Sequence, residues 1–179
     1  MMPRIAGIDP GKSGAAAIRY RFNSEDEVYC APLPGGEGEI VVMLTELFKL
    51  GPDDVVYIEQ VSGFIGKEHP GSRMFTFGMN YGILLGALEC TKCRIVKVRP
   101  QAWQKGLGLG SRGSRSRTEW KRHLKEEAKR LWPGERITLT TADAYLILAY
   151  ALKKEKNQKN STNQDGCTKA EAVPAMEES

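Results

Sequence analysis

Histidine is scarce in this chain: His69 and His123 are the only two in 179 residues. Cysteine is nearly as sparse, at Cys30, Cys90, Cys93 and Cys167. Cys90 and Cys93 form one Cys-x-x-Cys pair with no second pair and no histidine beside it, which supports neither a zinc site nor a thioredoxin-like pair. No basic-apolar-small leader opens the sequence. The longest apolar stretch, near Tyr81 to Leu88, is far below a membrane span. These absences predict a soluble cytoplasmic protein with reduced thiols and no membrane partner.

The length suits one well-buried α/β domain and is short for two. The formal net charge of +4 is modest, but its distribution is uneven. Between Arg99 and Arg130 stand ten Lys or Arg against three Glu. Such clustering points to a polyanionic partner, although a solvated helix face accounts for many charge runs.

The chain opens on Arg4-Ile5-Ala6-Gly7-Ile8-Asp9, a Pro10-Gly11-Lys12-Ser13-Gly14 break and Ala15-Ala16-Ala17-Ile18, which predicts two strands joined by a tight turn. Asp9 then ends the first strand, carried from the sheet into the loop layer. A turn-starting aspartate bonding its own backbone is the plain reading. Gly-Lys-Ser suggests a phosphate loop, but three residues separate Gly7 from Gly11, one too few, and a strand follows where that motif needs a helix.

A third short strand over 27–31 and a Pro/Gly loop over 32–38 come next. Helical spacing of Ile40, Val41, Leu44, Leu47, Phe48 and Leu50 predicts a helix over 37–50, stopped by Gly51-Pro52. Val55 to Glu59 reads as a strand buried on both faces. A glycine-rich loop leads to a helix from Ser72 to about Thr91, in which Gly78, Gly82 and Gly86 share one face. That face suits either close packing on the chain's own sheet or a homodimer seam. A strand over 94–98, a short helix opened by Pro100, a Gly/Ser/Arg loop and a basic helix capped by Thr118 and ended by Pro133-Gly134 follow. The last helix runs from about Thr140 to Lys154. The domain therefore spans residues 1–154, and 155–179 is expected to be a disordered polar tail.

Right-handed crossovers place the Val55 to Glu59 strand parallel to the first and beside it, so Asp9 and Glu59 leave the same sheet edge. Asp143 lies in a helix first turn, where the dipole favours its charge. Its apolar neighbours suggest a helix end packed on the sheet, where a carboxylate needs compensation. Three carboxylates without histidine suit Mg²⁺, with Mn²⁺ able to substitute, better than zinc. Two such ions can activate water and stabilise the leaving oxygen of a phosphodiester. The basic segment would grip phosphates.

Residues 5–14, Tyr57-Ile58-Glu59-Gln60-Val61, Met74-Phe75-Thr76-Phe77-Gly78, Arg99-Pro100-Gln101-Ala102-Trp103-Gln104-Lys105 and Ala142-Asp143-Ala144-Tyr145-Leu146-Ile147-Leu148-Ala149 together resemble the RuvC-type Holliday junction resolvases. The phage and prophage-like branch is the most similar. The resemblance spans about residues 4–152. It implies an RNase H-like α/β fold, a five-stranded mixed sheet of order 3-2-1-4-5 flanked by helices, with its first three strands antiparallel. It also implies a homodimer, a bacterial or phage-infected cell, and Mg²⁺-dependent paired nicking of four-way DNA junctions. Asp9, Glu59 and Asp143 would be the catalytic metal ligands, and the Ser72 to Thr91 helix would line the dimer interface. Phe64 would act as a stacking wedge or pack the loop down, while Lys67 and Arg73 would hold phosphates.

Many relatives carry a fourth acid three positions before the helix acid, where this chain has Thr140. A second ion would then rely on water, on Glu135 or on the substrate. Lys12, Lys105, Arg112, Arg115, Arg117, Lys121 and Arg122 are expected on the DNA backbone, some of them as plain surface charge. The rival readings are an RNA-processing nuclease, a junction-binding protein that does not cut, and an actin-like ATPase, which would need a second domain.

Overall fold

The computed structural model describes residues 3–11, 13–61 and 71–165, and the side chains at 72, 73 and 161–165 fall outside that description. Five strands, β1 (Ile5–Asp9), β2 (Ala15–Phe22), β3 (Glu25–Pro32), β4 (Val55–Glu59) and β5 (Arg94–Val98), form one sheet of order β3-β2-β1-β4-β5. The pairs β1/β2 and β2/β3 are antiparallel. The pairs β1/β4 and β4/β5 are parallel. This is the expected α/β arrangement, with the three amino-terminal strands antiparallel and the crossover strands parallel.

Period-two alternation divides the core between the two faces. Ile5, Ala15, Ala17, Val55 and Tyr57 face α3 (Pro100–Gly106), α4 (Arg117–Leu131) and α5 (Ala142–Asp165). Ala6, Ile8, Ala16, Ile18, Val56 and Ile58 face α1 (Glu37–Val42) and α2 (Gly71–Cys90). On the first face Leu146, Ile147 and Leu148 are fully buried, each contributing roughly 1.5–3 kcal/mol.

The register that matters for function is set at the far ends of the strands. Asp54, which is buried, accepts from the Arg4 backbone N–H at 2.7 Å and from the Gly51 N–H at 2.9 Å. Val55 N–H donates to the Arg4 carbonyl at 3.0 Å. With β1 and β4 starting level and equal in length, their carboxyl ends also finish level. Gly7 then decides how close α5 can come: a Cβ there would collide with the Leu148 backbone nitrogen and the Ala144 carbonyl. A bare strand backbone lets the helix sit directly on β1.

Three local differences from the sequence expectation have physical causes. The helix expected over 37–50 is α-helical only to Val42, then widens into a π-helical turn over Met43–Leu47 and is closed by Lys49 at φ 50°. The wider turn turns Met43, Leu44 and Phe48 into the core. The cap of α4 is Ser116 rather than Thr118: Ser116 Oγ accepts from Glu119 N–H at 3.2 Å and Glu119 Oε2 accepts from Ser116 N–H at 2.8 Å, a reciprocal box. The last helix continues past Lys154 to Asp165. Glu155 is held there by the Tyr57 hydroxyl at 2.8 Å and by Arg94 at 2.6 Å. Of the two readings of the glycine face of α2, packing on the chain's own sheet does not hold, for a Cβ at Gly78, Gly82 or Gly86 would meet nothing within 4 Å. Phe75, 73% exposed, and Met79 flank that open face. Among the described residues no helix is long and apolar enough to cross a membrane.

Candidate active site

Asp9 and Glu59 are the last residues of β1 and β4, one step beyond the paired Ile8 and Ile58. Because Gly7 admits α5, the first turn of that helix lies over the same sheet edge and brings Asp143 to it. Asp143 is 7% exposed.

Each carboxylate is oriented by one donor. Gly11 N–H donates to Asp9 Oδ1 at 3.1 Å, so the aspartate does form the turn expected of Asp before Pro-Gly. Trp103 Nε1–H donates to Glu59 Oε2 at 2.9 Å. The Lys121 ammonium is paired with Asp143 Oδ2, while Asp143 Oδ1 is buried with no hydrogen-bond partner.

The electrostatics show a site short of positive charge. Burial pushes Asp9 up to about 6, reinforced by the Asp143 charge and opposed by Lys121 and the Gly11 N–H. Burial pushes Glu59 up to about 7, with the charges of Asp9 and Asp143 adding to it and the Trp103 hydrogen bond working against it. Burial pulls Lys121 downward, yet Asp143, Asp9 and Glu59 together hold it above the ordinary lysine value. Carboxylates that raise one another's pKa across a shared space favour a cation between them. Oxygen donors alone fit Mg²⁺ or Mn²⁺. The unpartnered Asp143 oxygen agrees with that fit. Among the described residues no group of three His, Cys, Asp or Glu is arranged to hold an ion as it stands, and one of these three carboxylates carries the lysine.

The carboxylates lie in a cleft of about 1410 Å³. The cleft is also lined by Met74, Phe77 and Asn80 of α2, by Trp103 and Gln104 of α3, by the basic Arg112, Arg117 and Lys121, and by Thr118 and Thr140.

The structure thus gathers Asp9, Glu59, Asp143, Arg112, Arg117 and Lys121 around one space. Lys121 sits on Asp143 there rather than standing free for a DNA phosphate. Lys105 and Arg122 are exposed and outside the cleft lining. Arg115 lies 5.7 Å over the Trp120 ring and donates to the Ser111 carbonyl at 3.2 Å. Glu135 accepts from the Tyr145 hydroxyl at 2.9 Å and does not line the cleft. Lys12, Phe64, Lys67 and the Arg73 side chain lie outside the described residues. Two contacts escape a reading of the sequence: the Trp103 bond to Glu59, and the pairing of Lys121, expected on the DNA backbone, with Asp143. Trp103 belongs to the Arg99 to Lys105 stretch but has no visible role there, and Lys121 is hidden in a basic run. The signal for Lys121 is its place directly after Trp120, at the edge of the buried stripe that continues through Leu124 and Ala128.

No family model matches the chain, and no curated protein matches it in sequence. Solved structures do match. A structure of Thermus thermophilus RuvC is 15% identical, with a TM-score of 0.56, over 85% of this chain and 96% of its own. The same values hold for T. thermophilus RuvC in complex with Holliday junction substrate. The yeast mitochondrial Holliday junction resolvase Ydc2 is 16% identical, with a TM-score of 0.51, over 91% of this chain and 83% of its own. At such identities the likeness is one of fold: this chain has the fold of the RuvC-type resolvases.

Proposed function

We propose that this protein is a divalent-cation-dependent endonuclease that resolves four-way DNA junctions by paired nicks in opposed strands. The observation that carries the proposal is the convergence of Asp9, Glu59 and Asp143 on one sheet edge, in a cleft that Arg112, Arg117 and Lys121 also line. The fold supports it, because one structure of that fold is a RuvC bound to a Holliday junction substrate.

Asp9, Glu59 and Asp143 would hold Mg²⁺, which when bound supplies Lewis acidity toward water and the scissile phosphate. The chain's own contributions follow from the geometry. Gly11 N–H and Trp103 Nε1–H fix which oxygens of Asp9 and Glu59 turn toward the shared space. Arg112 and Arg117 supply backbone contacts that position the strand without reading its sequence. Trp103, Met74 and Phe77 give the cleft apolar walls that strengthen charge interactions inside it. The open face of Gly78, Gly82 and Gly86 beside exposed Phe75 and Met79 supports a homodimer through α2, which would set two such sites on opposed strands.

A non-cutting junction binder is favoured by one observation only, the neutral Thr140 beside a lysine-paired Asp143. One experiment separates the readings: cleavage of a mobile four-way junction, end-labelled on each strand in turn, with Mg²⁺ and with Mn²⁺, comparing wild type and Asp9→Asn. Symmetric nicks in opposed strands that vanish in the variant are expected. A junction shifted on a native gel yet uncut with either ion would overturn the catalytic reading. Preferential cutting of structured RNA in competition would redirect it to RNA.

A further inference from the structure

We propose that the lysine row on the outer turns of α5, with Lys105 beside it, is a separate DNA surface that holds a duplex arm of the junction beyond the cleft. The inference rests on the nuclease reading above and deepens it.

The first observation is uncompensated charge. Lys153, Lys154, Lys156 and Lys159 stand against a single acid, Glu155. Glu155 is turned away from them, accepting from the Tyr57 hydroxyl at 2.8 Å and from Arg94 at 2.6 Å. On α4, by contrast, Lys129 and Arg130 are each paired with the glutamate three residues before them, Glu126 and Glu127. That is how a solvated helix face balances its charge. Lys156 and Lys159 are exposed and have no partner among the described residues. Residues three apart lie on one side of a helix, so Lys153, Lys156 and Lys159 form a row of like charges that favours a polyanion beside it.

The second observation is continuity with the cleft. Trp103 and Gln104 of α3 line the cleft, and Lys105, the next residue, is exposed. The Gly106 carbonyl then accepts from the Lys153 ammonium at 2.8 Å. A Cβ on Gly106 would collide with the Tyr150 ring, and the Lys154 ammonium lies 5.5 Å over that same ring. The short helix α3 therefore joins the cleft to the lysine row without a break.

The third is length. Between Asp143 and Lys156 α5 rises about 20 Å, the span of about six phosphates along one strand of a duplex. Lysine ammoniums at that distance grip the backbone and carry no sequence information.

The competing reading is surface charge that only keeps a helix end solvated, and salt dependence separates the two. Binding of the full-length protein to a four-way junction with arms of about twenty base pairs is followed by fluorescence anisotropy over a salt series, without divalent ions. Wild type is compared with Lys156→Gln/Lys159→Gln and with Lys129→Gln/Arg130→Gln, which loses the same charge from α4. The α5 variant is expected to bind about tenfold or more weakly and to lower the slope of log affinity against log salt by about 1–2, while the α4 variant keeps the wild-type slope. A second junction carries neutral methylphosphonates about four to eight steps from the crossover in every arm. On it wild type should show the slope of the α5 variant, and the variant should lose nothing further. An unchanged slope in the α5 variant, an equal fall in the α4 variant, or losses that add would overturn the proposal. A slope that falls on structured RNA but not on the junction would overturn it in favour of RNA. If wild type binds the junction no better than a linear duplex while the α5 variant lowers the slope on both, the arm contact stands and the resolvase reading falls.

Discussion

Trp103 Nε1–H donates to Glu59 Oε2 at 2.9 Å, tying a buried indole of α3 to the carboxylate that ends β4. The bond selects one glutamate rotamer at the cleft. Trp103→Phe keeps most of the packing and removes the donor, leaving a buried carboxylate oxygen unpartnered. The expected result is a loss of about 1–3 kcal/mol in stability and a roughly tenfold or larger fall in junction cleavage, because a loosened ligand is no longer held in place. Thermal unfolding and single-turnover cleavage of the same preparation check both. An unchanged cleavage rate would mean that Trp103 only packs.

Gly7 carries a separate expectation. A methyl group there has no room to grow, since the colliding atoms belong to the α5 backbone rather than to a flexible side chain. Gly7→Ala must lift the helix away from β1, and the Asp143 end moves with it. Overpacking of this kind costs typically about 1–3 kcal/mol. The variant should unfold at lower denaturant and bind Mn²⁺ more weakly, whereas Gly78→Ala on the open face of α2 should do neither. Equal behaviour of the two variants would remove Gly7 from the account of how the site is built.

The pH dependence has a worked sign. Asp9 is raised to about 6 and Glu59 to about 7 in the metal-free protein, with burial first among the causes. Between the unfolded and folded values the native state binds more protons than the unfolded one, so their contribution is full below about pH 4 and is lost as pH rises through about 7. Divalent ions compete with those same protons. Added Mg²⁺ should therefore raise the unfolding temperature much more at about pH 8 than at about pH 5. Calorimetric scans at the two pH values, with and without Mg²⁺, test it. A Mg²⁺ effect that grows toward acid would contradict the carboxylate site.

Much of this arrangement is legible before any coordinates. Asp9, Glu59 and Asp143 stand at two strand ends and a helix start, where backbone direction alone decides that side chains meet, and β4 and β5 have the boundaries that their apolar runs predict. What escapes depends on tertiary partners. Lys121 differs locally from Arg122 only in lying at the edge of the Trp120, Leu124 and Ala128 stripe, and nothing in that stripe says that Asp143 will be its partner. Glu155 looks like tail until Tyr57 and Arg94 are placed beside it. The Ser116 to Glu119 capping box is a local signal, and it lies two residues ahead of the Thr118 that competes for the same role. The π-helical turn after Val42 answers to the core beneath it, which no periodicity of 3.6 describes.

The glycine face of α2 yields the last expectation. In a lone chain Gly82 has open space around it, so a larger residue there would strain nothing and, as a better helix former than glycine, would gain up to about 1 kcal/mol. In a dimer packed through this face, the same change would force two backbones apart and bury a charge. Gly82→Glu therefore separates the two cases by opposite signs. If the protein pairs through α2, the variant should sediment as a monomer, keep its circular dichroism spectrum, and cut a four-way junction in single strands rather than in symmetric pairs. If it instead remains associated and nicks in pairs, the seam lies elsewhere, and Phe75 and Met79 are exposed for another reason.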